Sequence, residues 1–350
     1  MNNTRESENR SSRIALELGL GAAGVVAATA GVGYAVARSR RAARATRQLF
    51  PAALDLPAGT RHLDVPVRDG GSIHVADWGA GRPLLFLHGV TLSSAVWAYQ
   101  FHDLGQSHRT IAIDLRGHGD SQAGRAGLSI AAMADDVADL LEALDLRQTT
   151  LVGHSMGGMT LLRFVRRHPE VMAARVGAAA LVASSGGIRP PLSNWHNFAP
   201  EAAALAVAGH RLFNRANRPF LPASTVGERM MRVAFGADPD PLAVRRSADI
   251  VRAMAPENLV ALLPELAGFD ERAAFEDLGV PAVVVVGERD RLTPPPNAEA
   301  LAASLPGARL QVWPGAGHML MYERREQLGS LLEALSLEAA GRGSGAGAAR

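Results

Sequence analysis

The 350-residue sequence contains no cysteine and no lysine. Without cysteine, disulfide bonds, thiol catalysis and cysteine metal ligands are excluded, but the compartment stays open because disulfide-free proteins occur everywhere. All 36 basic residues are arginine, and with 34 acidic residues they leave a formal net charge of only +2. No continuous basic face stands out beyond Arg38 to Arg47, so we do not expect nucleic acid as a partner.

Aromatic residues are also scarce, at 5%, although apolar residues in total make up 47% of the chain. This composition is typical of a globular protein, and the length allows one large α/β domain or two ordinary ones. We expect an N-terminal apolar segment at 1–50, a main domain at 60–338, a helical cap inserted in that domain at 186–272, and a disordered Gly/Ala-rich tail at 339–350.

The segment Leu18 to Ala37 carries no charged residue. It has about the 20 residues that a membrane-spanning helix needs, and it therefore predicts an apolar N-terminal helix that anchors the chain in a membrane. Five arginines lie within Arg38 to Arg47, against three before the segment. By the positive-inside rule, this difference places the C-terminal bulk of the chain in the cytoplasm. Small residues recur at every fourth position and would let two such helices pack closely: Ala23, Ala27, Gly31 and Ala35.

Two other sequence patterns occur in this region. Residues 35–37 have the form of a signal-peptidase site, but the arginines that follow disfavour export. The stretch Gly19 to Gly24 fits the dinucleotide fingerprint, yet no strand precedes it and no acidic residue follows about twenty positions later, so a nucleotide site is rejected. A soluble cytoplasmic protein is the alternative localisation.

Short apolar runs alternate with helical stretches from Arg61 to Leu335. HLDVPV and SIHVADWG alternate around the turn RDGG and predict an antiparallel hairpin. Six further runs bounded by Gly and Pro predict strands buried on both faces: PLLFLHG, TIAIDLRG, TLVGHS, GAAALVASS, PAVVVVGE and LQVWPG. The spacing between these runs implies that helices cross over from each strand to the next. The predicted fold class is therefore α/β, with a mostly parallel, doubly wound, eight-stranded sheet.

The alternation of strands and helices stops between Gly186 and Arg272. Several stretches there have helical patterns, and none is a convincing strand. The simplest interpretation is a helical lid over the C-terminal edge of the sheet, which is where open α/β sheets bind ligands.

The sequence TLVGHSMGGM places Ser155 directly after a buried strand and directly before a helix. A turn that tight strains the serine backbone and brings neighbouring backbone so close that Gly153 and Gly157 must lack side chains. The hydroxyl then stands at a helix N-terminus, where free N–H groups favour negative charge. This pattern predicts a nucleophile elbow.

A serine hydroxyl needs a base, and the base needs a carboxylate that orients it. The best-placed histidine is His318, on a loop after the last strand. Asp290 follows the penultimate strand, with Glu288 as a nearby rival. The alternative acid position, after the preceding strand, holds Ser184 and Ser185, which cannot act as the acid. The candidates thus follow the chain order Ser, Asp, His, on loops at one sheet edge.

From about Arg61 to Leu335 the chain resembles the α/β-hydrolase fold family, in particular its lid-bearing esterases, haloperoxidase-like perhydrolases and carbon–carbon bond hydrolases. The motifs that carry this resemblance are LFLHG followed by Trp97, IDLRGHGDS, GHSMGG, GERDRLTP and GAGH. They are specific for the fold and the triad but not for a substrate. Epoxide hydrolases and haloalkane dehalogenases of this fold have aspartate at the elbow, so Ser155 excludes that branch.

By this resemblance, the backbone N–H groups of Val90 and Met156 form an oxyanion hole, which donates to the negative oxygen of a tetrahedral intermediate. The chain departs from the family in this loop, because it has Thr91 where many relatives have proline. Other polar residues near these motifs are interpreted as structural or as neighbours of the pocket: His88, His118, Asp120 and His154.

The resemblance implies acyl chemistry. Ser155 attacks a carbonyl with His318 as base, and water activated by the same imidazole then releases the acid. We expect a small, moderately apolar ester as substrate, no metal and no organic cofactor. Carbon–carbon bond hydrolysis, perhydrolysis and acyl transfer use the same groups and stay open, as does a non-catalytic ligand-binding protein of this fold.

Overall fold

The computed structural model describes residues 54–187, 225–271 and 278–347. The predicted anchor, Leu18 to Ala37, lies outside these ranges, and so do residues 188–224 and 272 of the predicted lid. Within the described ranges, no helix is both long and apolar enough to cross a membrane. The anchor and the localisation that depends on it therefore remain predictions.

The described residues form one sheet of eight strands, in the order β1-β2-β4-β3-β5-β6-β7-β8. The first two strands form the predicted hairpin, and β2 also runs antiparallel to β4. All the other neighbouring pairs are parallel. The strands are β1 (Arg61–Pro66), β2 (Ser72–Gly79), β3 (Arg82–Leu87), β4 (His108–Ile113), β5 (Thr149–His154), β6 (Val176–Val182), β7 (Ala282–Gly287) and β8 (Arg309–Trp313).

This topology confirms the predicted hairpin and the mostly parallel eight-stranded sheet. From β3 the chain crosses first to β4 on one side and then to β5 on the other. The direction of winding therefore reverses between β3 and β5, and the loops that follow these two strands meet at the carboxyl edge. Ligands of open α/β sheets bind at such a switch point.

Helices cover both faces of the sheet. They are α1 (Ala98–Leu104), α2 (Ile130–Ala143), α3 (Met156–Arg167), α4 (Pro169–Arg175), α5 (Thr225–Met231), α6 (Pro241–Ala253), α7 (Pro256–Ala267), α8 (Pro295–Ser304), α9 (Leu320–Glu323) and α10 (Arg325–Gly347). One apolar core includes side chains of α2 and α3, and the other includes side chains of α1 and α10. The sheet is thus doubly wound, because both of its faces are buried.

The described part of the insertion between β6 and β7 is helical, as the sequence predicts, and consists of α5, α6, α7 and a 3-10 turn at Arg232–Ala234. The two ends of the insertion are joined where Gly187 and Asp270 form an isolated bridge. Glu271 N–H also donates to Gly186 O at 2.6 Å. The action of these helices as a lid stays a prediction.

The predicted tail requires a correction. Residues 339–347 are not irregular, because α10 continues to Gly347, and only 348–350 lie outside the described residues. Leu335 and Ala339 are buried in the core beside the sheet. This packing stabilises the helix through a glycine-rich stretch whose sequence alone does not favour helix.

Candidate active site

Ser155 occupies the turn between β5 and α3 with φ 52° and ψ −118°. A non-glycine residue in this region carries strain of about 1–3 kcal/mol, which the surrounding structure must offset. A Cβ atom on Gly153 would lie 2.6 Å from Gly157 O, and one on Gly157 would lie closer than 3.0 Å to Leu87 O. Both glycines are therefore needed for this turn, as the sequence predicts for a nucleophile elbow.

Hydrogen bonds to both sides of the peptide backbone hold the elbow in place. Ser155 N–H donates to Val182 O at 3.0 Å, which ties the turn to the end of β6. The Ser155 carbonyl accepts from Gly158 N–H at 2.9 Å. It also accepts from the Ser184 hydroxyl at 2.8 Å. Ser184 cannot act as the acid of the triad, but its hydroxyl holds the serine turn in place.

The structure brings His318 and Asp290 together. His318 Nδ1 lies 2.9 Å from Asp290 Oδ2, and both side chains are buried. The rival carboxylate, Glu288, instead accepts from Gly315 N–H at 2.9 Å through Oε2. Asp290 is therefore the carboxylate that orients the imidazole, with Nδ1–H as donor and Nε2 as the free nitrogen of the neutral ring.

The pKa of Asp290 lies below its ordinary value. Burial alone would raise that pKa, but the neighbouring His318 and the hydrogen bonds to the carboxylate outweigh the burial. Leu292 N–H and Thr293 N–H donate to Oδ1 at 2.8 and 2.9 Å. Asp290 consequently stays ionised and can stabilise a positive charge on the histidine.

The hydroxyl of Thr293 lies at the centre of this pair. It is 2.9 Å from Asp290 Oδ2, 2.9 Å from Ala183 O and 3.3 Å from His318 Nδ1. Since a hydroxyl has one proton, it can donate to only one of the two oxygens at a time. Because the hydroxyl contacts both groups, Thr293 limits how far the carboxylate and the imidazole can rotate.

The loop after β3 is fixed by a buried histidine. Thr91 N–H donates to His118 Nε2 at 3.2 Å, and His118 Nδ1 lies 3.2 Å from Arg116 O. Thr91 itself has φ 65°. Proline cannot adopt that angle, so this loop has a different backbone from one that carries proline there. With the N–H of Thr91 engaged, the neighbouring N–H of Val90 is the candidate donor, together with that of Met156 at the start of α3.

Two further histidines are buried and neutral. His88 Nε2 accepts from Leu115 N–H at 2.9 Å, and burial lowers the pKa of His88 well below its ordinary value. His154 Nε2 lies 3.0 Å from the backbone carbonyl of His318, and the two rings lie 4.6 Å apart. Burial lowers the pKa of His154 to about 3. Because burial lowers the pKa of both rings, each is a poor proton acceptor, and we assign neither the role of base.

Ser155 and His318 line one cavity of about 280 Å³. The insertion contributes Met231, Ala234 and Leu266 to its wall. None of the described lining residues is Asp, Glu or Arg. The remaining lining residues are mostly apolar or small, and comprise Gly89, Val90, Thr91, Leu92, His154, Met159, Ser185, Leu292, Thr293, Asn297 and Met319.

Comparison with known proteins identifies the family of the chain. The family model described as the alpha/beta hydrolase fold matches residues 82–325. The chain belongs to the α/β-hydrolase fold family. A non-heme haloperoxidase of Rhodococcus erythropolis is 32% identical over 267 residues, which cover 73% of this α/β hydrolase and 92% of the relative. A non-heme chloroperoxidase of Kitasatospora aureofaciens is 30% identical over 261 residues, covering 72% and 90% of the two chains.

Solved structures show the same fold. A thermophilic esterase from Thermogutta terrifontis superposes with a TM-score of 0.66 at 24% identity, covering 80% of this α/β hydrolase and 99% of the esterase chain. An esterase from Exiguobacterium antarcticum has a TM-score of 0.65 at 21% identity, with 79% and 99% coverage. At these identities the likeness establishes the fold only.

One cluster in the described part of this α/β hydrolase has the chemistry of metal ligands. The side chains of His74, Asp114 and Asp120 bring ligand atoms within 4.8 Å of one another. Both Asp114 oxygens already accept backbone N–H groups, from Ser94 at 2.7 Å and Asp120 at 3.0 Å. None of the three residues lines the cavity. The cluster is explained as a turn that holds the loops after β3 and β4, and we assign it no metal.

Proposed function

We propose that this α/β hydrolase is a serine hydrolase that cleaves small carboxylic esters through an acyl-enzyme on Ser155. The observation that carries the proposal is a serine at φ 52° on a strand-to-helix turn that shares a cavity with His318. The Nδ1 atom of that histidine lies 2.9 Å from Oδ2 of the buried Asp290. A nucleophile, a base and a carboxylate that orients the base are the groups that acyl transfer requires.

In the proposed reaction, His318 Nε2 takes the proton of the Ser155 hydroxyl as the serine oxygen attacks the ester carbonyl. The N–H groups of Val90 and Met156 donate to the negative oxygen of the tetrahedral intermediate. His318 then gives its proton to the departing alcohol, which leaves an acyl-serine. A water molecule, deprotonated by the same imidazole, attacks the acyl carbon and releases the carboxylic acid.

The lining of the cavity supports a neutral substrate. Among its described residues no Arg is present to pair with a substrate carboxylate, and a carboxylate buried without such a partner costs several kcal/mol. The volume of about 280 Å³ lies just below the usual range for ligand pockets, about 300–1,000 Å³. We therefore expect short, uncharged esters to be the best substrates.

Perhydrolysis is the second candidate, because two relatives at 30% and 32% identity carry the names of non-heme haloperoxidases. In that reaction hydrogen peroxide replaces water, attacks the acyl-serine and forms a peracid. Met159, Met231 and Met319 line the cavity. Their thioethers would be oxidised to sulfoxides by a peracid, and this favours ester hydrolysis as the main activity.

The test is the hydrolysis of p-nitrophenyl esters of increasing acyl length by the full chain and by Ser155→Ala. We expect turnover that is highest for short acyl groups and absent in the variant. A reaction containing acetate and hydrogen peroxide, assayed for peracetic acid, measures the second candidate. Equal ester turnover by both proteins would contradict the proposal.

We also propose that Leu18 to Ala37 anchors the enzyme, with the sheet domain on the cytoplasmic side. Expressed in a bacterial host, the full chain is expected to sediment with membranes and a chain that starts at Phe50 is expected to stay in the supernatant. If both chains stayed in the supernatant, the segment would not be an anchor.

A further inference from the structure

The carboxylate of Glu323 in α9 binds the loop of His318 on both sides of the histidine. Gly317 N–H donates to it at 3.0 Å, and Met319 N–H donates at 3.1 Å. These are the residues on either side of His318. Glu323 does not line the cavity. It therefore fixes the backbone on both sides of the histidine without facing a substrate.

The same carboxylate also binds the helical insertion. Gly236 N–H, in the segment after α5, donates to Glu323 Oε2 at 2.7 Å. Two backbone bonds run beside this contact. His318 N–H donates to Ala234 O at 2.7 Å, and Ala237 N–H donates to Gly315 O at 3.1 Å. The segment 234–237 is thus attached to the histidine loop through both backbone and side chain.

Two glycines permit the close approach of these segments. A Cβ atom on Gly236 would lie closer than 3.0 Å to Gly315 O, and one on Gly317 would lie closer than 3.0 Å to the backbone of Phe235. Phe235 is itself buried and packs against Tyr322, with ring centroids 6.4 Å apart. The contact is therefore a packed interface between insertion and loop.

We propose that Glu323 is a positioning residue for His318, and that it locks the histidine loop onto segment 234–237 so that the base is in place only while this part of the insertion is docked. The inference rests on the proposed function. Three backbone N–H groups donate to the two carboxylate oxygens of Glu323. An uncharged amide in the same place has only one oxygen, so its NH₂ group would face at least one of these donors. Charge-assisted bonds of this kind are the stronger class.

The first test compares Glu323→Gln with the wild-type full chain on a short p-nitrophenyl ester. We expect kcat to fall about 10- to 100-fold, because a base displaced by a fraction of an ångström loses its alignment with the serine. KM is expected to stay within about twofold, since the cavity wall is unchanged. The rate at which a fluorophosphonate labels Ser155 should fall in parallel. Glu323→Asp, which keeps the charge, should recover part of the loss.

The matched control is Glu288→Gln. Glu288 also accepts one N–H of this loop, from Gly315, but contacts neither neighbour of His318. We expect its kcat to stay near that of the wild type. An equal fall in both variants, or a Glu323→Gln variant with wild-type kcat, would overturn the inference.

A second pair of variants tests the docking of the insertion. Gly236→Ala adds a methyl group at the interface and should lower kcat in the same way, whereas Gly329→Ala in α10 meets no atom within 4 Å and should leave kcat unchanged. Wild-type kcat in Gly236→Ala would contradict the docking. Failure of the wild type itself to hydrolyse esters or to react with the fluorophosphonate would instead reject the proposed function, and the inference with it.

Discussion

The loops at the carboxyl edge of the sheet and the helices inserted after β6 face the same cavity, but they contribute different things. The loops after β5, β7 and β8 carry Ser155, Asp290 and His318, and each of these residues has defined hydrogen-bond partners. The insertion contributes apolar side chains, among them Met231 and Leu266. Under the proposed function, the sheet edge supplies the reacting groups. The insertion supplies part of the pocket wall, and its segment 234–237 holds the loop of His318.

The largest effect is expected at the sheet edge, in Asp290→Asn. The amide cannot stabilise an imidazolium and favours the wrong tautomer of His318, so we expect kcat to fall by about 10³- to 10⁴-fold. Steady-state kinetics on a short ester measure this fall. Glu288→Gln serves as the control for loss of a carboxylate nearby, and a comparable fall there would mean that the acid is misassigned.

A second effect at the sheet edge concerns the elbow itself. Gly157→Ala would bring a methyl group closer than 3.0 Å to Leu87 O, which is backbone and cannot turn away. We expect a loss of about 3 kcal/mol or more in the free energy of unfolding. Urea unfolding measures the loss. Gly329→Ala, where a Cβ has open space, should be neutral or stabilising, and equal stability of the two variants would argue against a tight elbow.

The buried histidines predict how stability depends on pH. The pKa of His154 is about 3 in the folded chain, whereas the unfolded chain has the ordinary value of about 6.5. Because the folded pKa is depressed, this contribution is fully present above pH 6.5 and is lost as the pH falls toward 3. Each such ring adds a slope of up to about 1.4 kcal/mol per pH unit.

Urea midpoints at pH 7 and pH 5 measure this slope. His154→Gln should flatten it relative to the wild type, while His62→Gln, which removes an exposed ring, should not. An unchanged slope in His154→Gln would show that the ring has the same pKa in the folded chain as in the unfolded chain.

The smallest effect is expected in the part of the cavity wall that α7 contributes. Leu266→Ala widens the cavity wall and removes apolar contact with the substrate, so KM for the longer esters should change severalfold, at about 0.8 kcal/mol per buried methylene. We expect kcat to be retained. Leu259→Ala, in the same helix but outside the cavity lining, is the control. A fall in kcat with unchanged KM would contradict the assignment of Leu266 to the fit of the substrate.

The sequence predicts the sheet and the elbow because both depend on short-range patterns. Apolar runs bounded by glycine and proline have few alternatives to buried strands, and the hairpin follows from alternation around RDGG. The elbow follows from glycines at fixed distances from Ser155. The extent of α10 beyond Leu335 could not be predicted, because distant packing of Ala339 overrides a local preference against helix.

The groups that hold the candidate triad could not be assigned from the sequence. Thr293, Ser184 and Glu323 each bond to backbone or carboxylate groups that lie far along the chain or in another loop. Their partners are set by the sheet topology, which brings separate strand ends together. The positive φ of Thr91 is a similar case, since it depends on the ring of His118.

The most direct test of the central claim is the intact mass of the full chain after treatment with a fluorophosphonate, alongside Ser155→Ala. We predict a single adduct on the wild type, located at Ser155 by peptide mapping, and none on the variant. An adduct on both proteins, or on neither, would contradict the assignment of Ser155 as the nucleophile.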